Sequence, residues 1–90
     1  MSAMEATTQT TPYTLRVSVQ AQLGAVARVL DALTHRGILP QRFEATLTPD
    51  EQTQTIVATF SHTDPHAMTK LTQFLEKQVQ VATVSLQATP

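Results

Sequence analysis

Cysteine and tryptophan are missing from these 90 residues, and glycine occurs only twice. Without a thiol there is no disulfide framework, no thiolate nucleophile and no thiolate metal ligand. The two glycines, Gly24 and Gly37, are too few and too far apart to build a phosphate-cradling loop. Charge is also scarce: 14% of the chain is Asp, Glu, Lys or Arg, against about 25% in an ordinary domain. Arg16, Arg28, Arg36, Arg42, Lys70 and Lys77 are scattered singly and the formal net charge is −1. Long-range attraction to nucleic acid or to an anionic membrane is therefore weak. No apolar run approaches transmembrane length. Residues 1–11 are rich in Thr, Ser and Ala, with neither a basic start nor an apolar centre. They read as a disordered tail and not as a signal peptide. Together these absences fit a soluble, cytoplasmic chain.

What is present is patterning. Thr and Gln stand where charges usually do, so the surface repels other proteins weakly. Ninety residues make one domain with a thin core, which dimerisation would help to stabilise. Tyr13, Leu15, Val17 and Val19 alternate with Thr14, Arg16, Ser18 and Gln20, the period of a half-buried strand. Leu23, Val26, Ala27, Leu30, Leu33 and Thr34 then recur at three- and four-residue spacing. That predicts a helix over about 24–36 with those residues on its apolar stripe, closed by Gly37. A strand follows at about 38–48, carrying Phe43, Ala45 and Leu47 on one face and Pro40 at an edge or bulge. Turn chemistry at Thr48-Pro49-Asp50-Glu51 leads into a strand at about 53–61, with Ile56, Ala58 and Phe60 on one side. Asp64-Pro65 starts a helix over about 65–77, with Met68, Leu71, Phe74 and Leu75 as its stripe. A last strand at about 81–87 places Ala82, Val84 and Leu86 together, and residues 88–90 fray.

The order β-α-β-β-α-β, with right-handed crossovers, gives an α+β, ferredoxin-like domain over residues 12–88. Two helices lie on one face of a four-stranded antiparallel sheet. Thr14, Arg16, Ser18, Arg42, Thr46, Thr55, Val57 and Thr59 should line the other face, which suits solvent or a wet protein interface.

Reactive constellations are thin. His62 and His66 are four apart with Asp64 between them, but Asp64-Pro65 begins the helix, so the spacing does not put both on one helical face. His35 suits a helix end for dipole reasons. Ser18, Ser61 and Ser85 lie on strands or their ends, outside any Gly-rich elbow. Asp50 and Glu51 belong to a turn, and Glu44 falls on a polar strand face. RNA-recognition domains share this element order and stack bases on strand aromatics, but Tyr13 and Phe60 alternate with the core-facing set. No enzyme is written in these residues.

Gln20-Ala21-Gln22-Leu23-Gly24-Ala25-Val26-Ala27-Arg28-Val29-Leu30 resembles the strand, loop, glycine and helix that open ACT domains. His35-Arg36-Gly37-Ile38 is similar to the Arg-Gly-aromatic-Asn-Ile passage ending the first helix in the small, regulatory subunits of acetolactate (acetohydroxyacid) synthase. Leu75-Glu76-Lys77-Gln78-Val79-Gln80-Val81-Ala82-Thr83-Val84 resembles their closing helix-to-strand passage. The resemblance implies a non-catalytic subunit in branched-chain amino-acid biosynthesis. It would activate a large subunit carrying thiamine diphosphate, magnesium and often FAD, while binding none of these itself. It further implies a homodimer of side-by-side sheets, with an amino-acid effector held between the loop before the first helix and the neighbour's second strand. The matching positions here are Ala21, Gln22, Leu23, Gly24, Ala25, Leu39 and Pro40. A carboxylate would meet backbone N–H groups where Gly24 opens the helix. The family usually has Asn where Ala21 and Leu39 stand, and Ile at Pro40. Losing both amides costs about 1.5–3 kcal/mol per hydrogen bond to a charged group, which predicts weak or absent valine binding, as in the short valine-insensitive members. Two alternatives remain from sequence: a free-standing ACT domain sensing some other amino acid, and a nucleic-acid-binding ferredoxin-like domain.

Overall fold

The computed structural model describes residues 11–89. The expected tail falls almost wholly outside the described residues, as does Pro90. Six elements follow in order: β1 (Thr11–Gln20), α1 (Leu23–His35), β2 (Arg42–Leu47), β3 (Thr53–Thr63), α2 (Pro65–Glu76) and β4 (Val81–Ala88). The sheet runs β2-β3-β1-β4 with every pairing antiparallel. This is the α+β, ferredoxin-like βαββαβ arrangement that the changes of period imply.

The core is built on the two central strands. Leu15, Val17 and Val19 of β1 and Ile56 and Ala58 of β3 are fully enclosed, with Phe60 beside them. Alternation sends every second side chain of a strand to the same face, so these six form one apolar sheet surface. Ala25, Val29, Ala32 and Leu33 of α1 and Met68, Leu71 and Leu75 of α2 cover it. Among the described residues no polar or charged side chain is buried.

Both helices are punctuated as the sequence suggests. The Asp64 carboxylate accepts the His66 N–H at 3.3 Å, and Pro65 opens the first turn of α2. At the end of α1, Gly37 takes φ +65°. Its N–H reaches the Thr34 carbonyl at 3.1 Å, and the Ile38 N–H reaches Leu33 at 3.0 Å. That pair of bonds is a Schellman closure, and Ile38 packs against the core as the motif's apolar partner.

Four expectations change. The buried stripe of α1 is Ala25, Val29, Ala32 and Leu33, whereas Leu23, Ala27, Leu30 and Thr34 are exposed. The helix has more apolar positions than one stripe can use, and the two alanines let its axis lie close to the sheet. Strand β2 covers Arg42–Leu47 only, because the chain after Pro40 joins the sheet through one bond, from Gln41 N–H to the Thr59 carbonyl at 2.7 Å. In β4 the register against β1 slips between Ser18 and Val19, opposite Thr83 and Val81. Ala82 is the extra residue of this bulge, so Val81 joins Val84 and Leu86 against the core and Ala82 turns outward. The sheet also reaches further at both ends. Thr11 and Ala88 lie in strands, and the Thr89 N–H is bonded to the Pro12 carbonyl at 2.8 Å.

The β2–β3 hairpin turns on Thr48. Its carbonyl accepts from the Glu51 N–H at 2.8 Å, and its hydroxyl donates to the Asp50 carboxylate at 2.7 Å. Asp50 also accepts the Gln52 N–H at 3.1 Å. Glu51 sits at φ +59°, a left-handed conformation that a side chain adopts at some cost. The Thr48 hydroxyl, and then the Gln52 N–H, hold the Asp50 carboxyl below its ordinary value. A depressed carboxylate favours the folded turn above the ordinary value, and that support fades as pH falls through the lowered one.

Two outcomes follow from this packing. Leu33→Ala should lower stability by about 2–5 kcal/mol, while Leu23→Ala should stay within about 0.5 kcal/mol, read from urea unfolding at a concentration where the chain is monomeric. A larger loss at Leu23 would restore the stripe read from periodicity. In acid titration followed by NMR, the Gln52 amide should report a midpoint below the ordinary aspartate value of about 3.9. Asp50→Ala should abolish that titration, and a midpoint at or above the ordinary value would contradict the turn geometry.

Candidate functional site

The loop between β1 and α1 is held by backbone bonds. Gln20 N–H donates to the Gln80 carbonyl at 2.9 Å, Ala21 N–H to Gln52 at 3.2 Å and Gln22 N–H to Gln20 at 2.8 Å. Gln22 occupies the N-cap of α1 with an extended backbone, but its side chain makes no cap; it donates instead to the Gln20 amide oxygen at 3.1 Å. A shallow polar depression of about 350 Å³ lies here, lined by Gln20, Ala21, Gln22, Glu51 and Gln52. Leu23 is 96% exposed. A Cβ placed on Gly24 would meet nothing within 4 Å, so the backbone is open to solvent and internal packing does not require glycine. Ala25 points into the core and its N–H is taken by the Gln22 carbonyl at 3.1 Å.

The other two expected site residues lie at the far end of α1. Leu39 and Pro40 border an apolar hollow of about 420 Å³ with Leu30, Leu33, Thr34 and Ile38. Thirteen helical residues put roughly 20 Å between this hollow and the β1–α1 loop. A single chain brings Ala21 and Gln22 together with the β2–β3 turn, and Leu39 and Pro40 together with Leu30, but does not join the two groups.

An uncovered apolar flank connects them. Strand β2 is an edge, paired on one side only. Phe43, Ala45 and Leu47 face the helix side, opposite Ala58, Ile56 and Gln54, yet Ala45 is exposed and Leu47 is 46% exposed. Phe43 is half-buried and packs against the core, but the helix roof leaves Ala45 and Leu47 open. Helical geometry puts Leu23 and Leu30 on the flank of α1 that points away from α2. Leu30 is 43% exposed and Leu39 is 88% exposed. Sequence periodicity assigned Leu23 and Leu30 to the core; the surplus of apolar residues in α1 was the signal that not all of them lie there.

The remaining candidates lie apart. His62 is on β3 and His66 in the first turn of α2, both exposed. Among the described residues no group of three His, Asp or Glu comes together. The His35 Nδ1 donates to the Asp31 carbonyl at 3.1 Å. Phe60 is buried, and Tyr13, opposite it in the register, packs against the core, so both aromatics belong to the helix-covered face. The open face carries cross-strand rows Arg42–Thr59–Thr14–Gln87, Glu44–Val57–Arg16–Ser85 and Thr46–Thr55–Ser18–Thr83. Arg42 and Glu44 form an ion pair there. Among the described residues no helix is long and apolar enough to cross a membrane.

No family model matches the chain, and no curated protein matches it. Solved structures do. The uncharacterized protein TM1266 from Thermotoga maritima superposes with a TM-score of 0.76 at 17% identity, over 91% of this chain and 100% of that one. The C-terminal domain of the MgtC protein from Mycobacterium tuberculosis gives 0.67 at 20% identity, over 89% and 88%. A homoserine dehydrogenase from Thiobacillus denitrificans gives 0.72 at 21% identity, over 90% of this chain but only 18% of the enzyme. At such identities the likeness concerns the fold alone, the ferredoxin-like sheet with two helices described above.

Proposed function

We propose that this chain is a non-catalytic regulatory subunit that pairs with a second copy through β2 and acts on a catalytic partner. The observation that carries the reading is the uncovered flank formed by the free edge of β2, Leu30, Leu39 and Leu47. An edge strand offers unpaired backbone N–H and C=O groups, and here exposed apolar side chains stand beside it on the helix side, while the charges of the strand, Arg42 and Glu44, lie on the other face. A second copy docked antiparallel would extend the sheet to eight strands and cover the leucines of both copies.

Such pairing also gives the separated loops a reason. The β1–α1 loop lies by the end of β2, through the Ala21–Gln52 bond, while Leu39 and Pro40 precede its start. Antiparallel docking sets the end of one β2 against the start of the other. Leu39 and Pro40 of the second copy then come toward Ala21, Gln22, Leu23 and Gly24 of the first. An effector site composed this way has backbone donors but no side-chain amide at Ala21 or Leu39, so an α-amino acid is held weakly or not at all.

For the partner, the passages beginning at Gln20, His35 and Leu75 favour the large subunit of acetolactate synthase, with thiamine diphosphate, magnesium and FAD on that subunit. The homoserine dehydrogenase match is consistent with an accessory role, since a domain of this size is a small part of a larger enzyme there. The reading places the chain in the cytoplasm, where that chemistry runs.

Light scattering on the eluted protein should give twice the mass of one chain. Leu30→Glu should convert it to a monomer with an unchanged circular dichroism spectrum, since Leu30 is not part of the core. A monomeric wild type removes the pairing. Calorimetric titration with valine, leucine and isoleucine should show no micromolar binding, and a micromolar constant would refute the account of the effector site. Addition of the chain to a thiamine-dependent large subunit should raise its acetolactate synthase activity and the two should co-purify. Failure of both rejects that partner.

A further inference from the structure

On the opposite flank of α1, facing α2, lies a groove of about 360 Å³ lined by Arg28, Asp31, His35, Arg36, Phe74 and Gln78, with Ala32 beneath. Two of the six Lys and Arg residues border it, in a chain of net charge −1. Neither guanidinium forms an ion pair among the described residues, where the single such pair is Arg42 with Glu44. Nor does either donate a side-chain hydrogen bond among the described residues, so about ten N–H donors, five per guanidinium, stand unused. Arg36 is nonetheless held in place: its guanidinium carbon lies 4.5 Å from the centre of the Phe74 ring. Arg36 also remains exposed, and a guanidinium is the group that takes a carboxylate or phosphate with two parallel bonds.

The acceptors nearby narrow the ligand. A carbonyl only accepts, so the bond between His35 Nδ1 and the Asp31 carbonyl makes Nδ1 the donor, and in the neutral ring Nε2 is then an acceptor. The Asp31 carboxylate is a second acceptor on the lining. A volume of this size suits a small molecule, at the lower end of ligand cavities.

We infer that the α1–α2 groove binds a small metabolite bearing an oxyanion, carboxylate or phosphate, with Arg36 as its principal recognition group and Arg28 as the second. A hydrogen-bond donor on the same molecule would meet Asp31 or His35. This site is on the flank of α1 away from β2 and needs no second copy, so it stands or falls independently of the pairing and of the catalytic partner.

The test uses the full chain, labelled with nitrogen-15, at low salt, titrated in parallel with inorganic phosphate and with citrate. Saturable shifts are expected at the amides of Arg36, Phe74 and Gln78, with dissociation constants of about 1–10 mM for such minimal probes. Arg36→Gln should weaken binding about tenfold, a charge-assisted pair being worth more than a neutral one, and Arg28→Gln by less. Asp31→Asn should tighten both anions by removing a like charge. These residues are exposed, and circular dichroism checks that each variant folds. Arg16→Gln, on the open sheet face, should change nothing beyond the general effect of one charge. Preference for phosphate or for citrate tells which oxyanion the groove suits. The inference is overturned if neither probe gives saturable shifts, if the shifts centre on Leu23 and Gly24, or if Arg16→Gln weakens binding as much as Arg36→Gln.

Discussion

Leu15, Val17 and Val19 on β1, pressed against Ile56, Ala58 and Phe60 on β3, set the terms for the whole molecule. Two helices of 13 and 12 residues have only enough apolar surface to roof the middle of a four-stranded sheet. Every other feature is a consequence of where that roof stops. The strands under it are closed on the helix side. Beyond it, the inner face of β2 is covered at Phe43 but open at Ala45 and Leu47, and the far face of the sheet carries rows rich in Thr and Ser. In a chain this short, the apolar area buried per residue is small, so an uncovered edge is a substantial part of the unused driving force.

The fold was readable because its punctuation is local. Asp64-Pro65 and Gly37 each act within a few residues, through a side-chain cap and a left-handed backbone, and both sit where their chemistry requires. Strand alternation on β1 and β3 is likewise a two-residue signal, and both strands are central. The errors fell where a local pattern underdetermines the answer. In α1, Leu23, Ala25, Val26, Ala27, Val29, Leu30, Ala32 and Leu33 satisfy more than one helical stripe, and only the approach of the sheet selects Ala25 and Ala32 over Leu23 and Leu30. In β4, alternation extrapolated backward from Leu86 and Val84 reaches Ala82, and a bulge hands the next inward place to Val81 instead.

The candidate sites were legible to a lesser degree, for a reason of distance. Ala21 and Leu39 were associated by resemblance, and in one chain a whole helix separates them; their meeting depends on a symmetry that a single sequence does not contain. The basic groove has the same difficulty within the chain. Arg36 and Phe74 are far apart in sequence, and nothing in either neighbourhood signals the other. Only the side-by-side seating of α1 and α2 over the sheet puts the guanidinium on the ring.

Helix α1 is where these strands of reasoning meet, because its circumference is divided into three uses. One arc, Ala25, Val29, Ala32 and Leu33, is sealed against the sheet. To one side Leu23 and Leu30 run toward the free edge of β2, and to the other Arg28, Asp31 and His35 run toward α2. A helix needed only as a roof would carry polar residues on both flanks, as an amphipathic surface helix ordinarily does. Here one flank is apolar and the other concentrates charge in a chain otherwise poor in it. The apolar flank is a departure with a cost in solubility that the core does not repay, and it lies beside an unpaired strand; the charged flank lies against a groove. The two flanks therefore read as surfaces for two different occupants, one apolar and extended, the other small and anionic.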